Sequence, residues 1–122
     1  MILPTILFLG GSYLGSYETE APWPGGISIS VSLGERGQYT FNRDGCFLRE
    51  IGTGRFNRAG DTVLLRPPET YSGGDGAWKK PWRLQVVSLK GKNYLLENRQ
   101  RNQFANLART GKVEDGHFLV KH

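Results

Sequence analysis

Residues 78–83 read Trp-Lys-Lys-Pro-Trp-Arg, two indoles interleaved with three cations. Aromatic rings can stack bases while neighbouring cations neutralise phosphates. The same residue types anchor protein contacts, where Trp, Tyr and Arg carry much of the binding energy. With Tyr71 just upstream, the candidate binding residues are Tyr71, Trp78, Lys79, Lys80, Trp82 and Arg83. The chemistry points first to an acidic protein partner, and second to nucleic acid or lipid. A purely structural use competes with both: the two tryptophans plug one end of a barrel and the lysines are solvated.

Little else could do chemistry. The chain has two histidines, His117 and His122, and one cysteine, Cys46. A metal site or a Ser-His-Asp arrangement needs several such groups converging. Cys46 reads as a small buried hydrophobe rather than the nucleophile of a Cys-His pair. Carboxylates for acid–base work could come from Asp44, Glu50 or Asp61. Asp44 and Asp61 lie in turn-like sequence, where such side chains bond nearby backbone N–H groups. Gly73-Gly74-Asp75-Gly76 lacks the Lys-Ser/Thr that follows in a phosphate loop. The expectation is a non-catalytic protein without cofactor or metal.

Positioning these residues falls to a single domain, as 122 residues imply. The chain is 38% hydrophobic and 22% charged, which is folded rather than disordered material. Seventeen glycines and 11% aromatics favour many short strands joined by tight turns. One cysteine excludes an internal disulfide. The net charge of +5 is uneven: residues 1–78 carry −2 and residues 79–122 carry +7. A basic half attracts nucleic acid, anionic lipid or an acidic protein. The charges are scattered rather than blocked, which favours a solvated, solubilising surface.

Residues 2–9 form the most apolar run and are followed by Gly10-Gly11-Ser12. That resembles the end of a signal-peptide core, although no Lys or Arg precedes it. It is too short to cross a bilayer as a helix. Residues 1–12 are therefore either a secretory remnant or a first strand.

From there the pattern is β. Residues 13–18 suggest a short strand, and Ala21–Gly26 a break. Ile27, Ile29, Val31 and Leu33 alternate with three serines, the period of a half-buried strand. Residues 34–37 turn the chain, and Tyr39 and Phe41 return inward. Arg43-Asp44-Gly45 reads as a second turn, with a strand over 46–51, a Gly52-Thr53-Gly54 passage, and a third turn at 58–61. Pro67-Pro68 ends the following strand. Residues 69–81 form the longest irregular segment, the kind that is functional or disordered. Strands follow at 84–89 and 94–96. A helix is expected over 98–109, with Asn98 as N-cap, a Phe104–Leu107–Ala108 stripe and Gly111 as the stop. A last strand covers 117–120.

Leu33-x-x-x-Gly37-x-Tyr39-x-Phe41, then Gly54-x-Phe56-x-x-x-Gly60-Asp61-Thr62-Val63-x-Leu65, resembles small exported bacterial β-proteins of unknown function. The tail, with Tyr94-Leu95, Phe104-Ala105-Asn106, Gly111 and Phe118-Leu119, is similar to theirs as well. The resemblance covers about half the chain, rests on turn and core positions, and implies a fold and an envelope location, periplasmic or secreted, with the cytoplasm as the alternative. It implies no activity.

The expected architecture is mainly β: an antiparallel meander forming a small barrel or strongly bent sheet, with one short helix near the C-terminus. Three functions are compatible with it. One is a binding module acting through the 67–83 loop, a second is a nucleic-acid or other polyanion binder using the Trp/Lys/Arg cluster, and a third is a carrier of a small apolar ligand in the barrel mouth.

Overall fold

Among the described residues, alternation of apolar and polar side chains produces nine strands: β1 Gly15–Thr19, β2 Ser28–Leu33, β3 Gln38–Gly45, β4 Leu48–Ala59, β5 Thr62–Leu65, β6 Thr70–Ser72, β7 Trp82–Leu89, β8 Lys92–Leu96 and β9 Leu119–Lys121. The structure, a computed structural model, describes residues 13–19, 26–45, 48–74, 76 and 78–121. The two readings of residues 1–12 lie outside these, as do the surroundings of Cys46.

All pairings are antiparallel. The order is β3-β2-β1-β9-β8-β7-β5-β4, and β4 pairs back with β3, so eight strands close a barrel. β6 pairs only with β4, over Ile51–Thr53, and prolongs the β5 side of the wall beyond β5. Pro67 and Pro68 cannot donate to a ladder, and the chain rejoins β4 when Glu69 N–H donates to Thr53 O at 2.7 Å. Closure satisfies the strand edges that an open sheet would leave bare.

The barrel interior is filled by side chains. Tyr17, Val31, Leu33, Tyr39, Phe41, Phe56, Val63, Leu65, Leu84 and Leu95 form one buried cluster. Gly52 and Gly54 make the room for this. They are in phase with Phe56 on the inward face of β4, opposite Phe41 and Tyr39 respectively. The aromatic rings of β3 occupy the space that side chains on β4 would take.

A second core lies outside the barrel wall. Helix α1, Arg101–Thr110, packs Phe104, Leu107 and Ala108 against Tyr94, Leu96, Phe118 and Val120. The expected stripe is the one used. Gly111 ends the helix in the left-handed conformation, φ 73°. The start differs from expectation. Glu97, not Asn98, precedes a 3₁₀ turn Asn98–Gln100, and Glu97 N–H donates to Gln100 Oε1 at 3.0 Å.

Two other sequence expectations are corrected. Arg43-Asp44-Gly45 is not a turn: β3 runs through it, and Gly45 pairs with Leu48 of β4. The ladder continues because Arg43 faces Glu50 and Asp44 faces Arg49, two opposite-charge cross-strand pairs. Asp44 accordingly accepts from Arg49 Nε at 3.3 Å. The 46–51 strand and the Gly52–Gly54 passage are one twelve-residue strand, β4. The Gly60-Asp61 turn is as expected, between paired Ala59 and Thr62. There the Asp61 side chain accepts from Gln85 Nε2 at 2.8 Å.

Candidate functional site

The inward phase of β3, Tyr39-x-Phe41, continues to Arg43, and that of β4 continues back from Gly54 and Gly52 to Glu50. At one end of the barrel the core thus gives way to charge. Glu50 is only 7% exposed. Burying a carboxylate alone is costly, and two groups meet it. Arg43 Nη2 forms an ion pair with Oε1, and the Tyr71 hydroxyl, on β6, donates to Oε2. That bond to the carboxylate raises the Tyr71 phenol above its ordinary pKa.

Gly73 and Gly74 then cross over this pair with positive φ, 82° and 64°. A Cβ on Gly73 would collide with the Arg49 carbonyl, and one on Gly74 with the Glu50 carboxylate and the Tyr71 hydroxyl. Two residues without side chains are what the close crossing requires. β7 then begins at Trp82, which pairs with Leu65.

Trp78 and Trp82 form an aromatic floor with Phe41. The Trp78 ring lies 5.1 Å from Phe41 and 5.6 Å from Trp82, both edge-on, and stacks on Tyr39 at 6.2 Å. Edge-on and offset arrangements suit the ring quadrupoles. Both tryptophans are half-buried against the barrel core. Both therefore contribute to the packing of this end of the barrel.

They also leave a groove of about 360 Å³. Its floor is Phe41, Trp78 and Trp82, and its rim carries Arg43, Lys80 and Arg99. Glu97 holds one side together, accepting from Trp82 Nε1 at 3.1 Å and from Arg99 Nη2 at 3.1 Å. Trp78 Nε1 is buried and has no acceptor among the described residues.

Of the residues singled out from sequence, Trp78, Lys80 and Trp82 converge on this groove. Tyr71 stands behind it, tied to Glu50. Lys79 is exposed and lines no described groove. Arg83 faces outward, because alternation on β7 sends Trp82 and Leu84 inward. Sequence reasoning missed Arg43, Glu97 and Arg99. Arg43 was accessible through its phase with Tyr39 and Phe41. Glu97 and Arg99 carry no such signal, since only the β7–β8 pairing brings them beside Trp82.

Among the described residues, no group of three His, Cys, Asp or Glu side chains converges as metal ligands would, and no helix is long and apolar enough to cross a membrane. Comparison of the chain with family models, with characterised proteins and with solved structures finds no match.

Proposed function

We propose that the protein is a non-catalytic binding module that receives an acidic segment of a protein partner at the barrel mouth. The observation that carries this is the groove over Trp78 and Trp82, apolar in its floor, cationic at its rim, and holding a buried indole N–H without an acceptor among the described residues. Leaving a buried donor unmatched costs about 1–3 kcal/mol. A carboxylate or carbonyl of a bound segment would recover that cost while its apolar part covers the rings. The volume suits one or two side chains.

The other readings draw less support at this mouth. Arg43 and Arg99 are already paired with Glu50 and Glu97. Lys80 is thus the one rim cation without a carboxylate partner among the described residues. A nucleic-acid strand is held by many phosphate contacts. An apolar ligand would have to enter an interior that Tyr39, Phe41 and Phe56 already fill. The hairpin resemblance supports an envelope location for the module.

A panel of acidic peptides, with and without an aromatic residue, tests the proposal through tryptophan emission. Acidic peptides are expected to change the emission saturably. Lys80→Glu should abolish the effect, and Trp78→Phe, which keeps a ring but removes the N–H, should weaken it. If no acidic peptide alters the emission, or Lys80→Glu binds as well as the parent, the proposal fails.

A further inference from the structure

The outward face of β7 builds a second groove on the other side of the barrel wall. It encloses about 400 Å³ between β5, β7 and the start of α1. Arg83 reaches it from β7 and Arg101 from the first position of α1, joined by Gln85, Asn98 and Thr62 over Leu96. Among the described residues no carboxylate lines it. Neither the Arg83 nor the Arg101 side chain has an ion-pair or hydrogen-bond partner among the described residues. Asp61, on the neighbouring turn, is tied to Gln85 Nε2 at 2.8 Å.

Two guanidiniums from different elements, both uncommitted, repel one another unless an anion lies between them. Each presents a planar fork of donors that matches an oxyanion bidentately. The first turn of α1 adds to the field, since no acidic residue sits there to neutralise the positive end of the helix. Asn98 and Thr62 supply further donors. This set exceeds what the two oxygens of a carboxylate can accept. It fits the three or four oxygens of a tetrahedral dianion.

We infer that this outer groove is a phosphoryl-binding site in which Arg83 and Arg101 grip the anion from two sides. It is independent of the barrel mouth. Trp82, Glu97 and Arg99 face the mouth groove, whereas Arg83, Asn98 and Arg101 face this one.

The test is a titration of the full chain with inorganic phosphate, at an ionic strength held constant with chloride, followed through the side-chain resonances of Arg83, Arg101 and Asn98. Saturable shifts confined to these groups are expected. Arg83→Gln and Arg101→Gln should each weaken binding at least tenfold while leaving the barrel resonances in place. A parallel titration with a phosphomonoester separates the sources: tighter binding of the ester assigns the site to an organic phosphate, and equal binding to the free ion. Shifts that never saturate, or that spread evenly to Lys90 and Arg109, overturn the inference. So does an oligonucleotide that binds while both variants leave its affinity unchanged.

Discussion

Gly54 stands directly opposite Tyr39 in the β3–β4 ladder, and a Cβ at Gly54 would lie 2.8 Å from the Tyr39 hydroxyl oxygen and 2.9 Å from its Cε2. The ring cannot retreat easily. It is 2% exposed, and its hydroxyl donates to Arg66 O at 2.6 Å, at the point where β5 breaks before Pro67. The glycine, the tyrosine and the break in β5 are thus one arrangement. Gly54→Ala is expected to destabilise the domain by about 1–3 kcal/mol, the usual cost of overpacking. Denaturant midpoints check this. A Tyr39→Leu background should remove most of the effect, since neighbouring changes couple.

Tyr39 also makes stability depend on pH at the alkaline end. Burial pushes its phenol up to about 12, with the nearby Glu69 carboxylate adding to the shift. Burial raises Tyr17 as well. An unfolded tyrosine releases its proton near 10. Between about 10 and 12 unfolding therefore releases a proton, and stability falls as pH rises through that window. Below it the contribution is fully present. Tyr39→Phe should flatten part of the decline, leaving the share due to Tyr17. At neutral pH the same variant should lose about 1–3 kcal/mol, because the Arg66 carbonyl is left without its donor. Urea titrations at neutral pH and across the alkaline window measure both.

The barrel was legible where local chemistry and global pairing agree. Ile29, Val31 and Leu33 alternate with serines, and the Gly37 and Gly60 turns carry the positive φ their positions suggested. Asp44-Gly45 misled because a strong turn dipeptide was overridden by the register that puts Arg43 opposite Glu50. Gly52 and Gly54 read as interruptions, yet they are in-phase members of a strand whose missing side chains admit the rings of β3. The mouth was half legible. The Trp78–Trp82 cluster is local in sequence. Its Glu97 and Arg99 wall arises from the β7–β8 pairing, which no spacing along the chain encodes.

The pair Arg43–Glu50 should decide whether Gly73 and Gly74 stay seated over it. Glu50 accepts from both Arg43 and Tyr71, beneath Gly73 and Gly74. Glu50→Ala strands Arg43, and removing one partner of a buried pair costs about 3–5 kcal/mol. Arg43 is half-exposed and can rehydrate, so a value at or below the lower end is expected. Glu50→Gln keeps an acceptor for Tyr71 and should cost less. Both changes are expected to shift tryptophan emission to the red, because Arg43 also lines the groove floored by Trp78 and Trp82. A stability loss without that shift would separate the ion pair from the seating of the loop.

The outer core gives the last expectation. Phe104 is the only α1 residue that is fully buried, 6% exposed, and its ring meets Tyr94 at 5.0 Å and Phe118 at 5.2 Å, both edge-on. Nothing else on the helix reaches so far into the wall, since Leu107 and Ala108 are only half-buried. Phe104→Ala should remove about 3–5 kcal/mol, typical of a buried aromatic truncated in place. The ten-residue helix is too short to persist without its docking face. Its amides should therefore exchange much faster in the variant, while those of β2–β4, across the barrel, keep their relative protection. Uniform loss of protection over the whole chain would instead show that α1 and the barrel unfold as one unit.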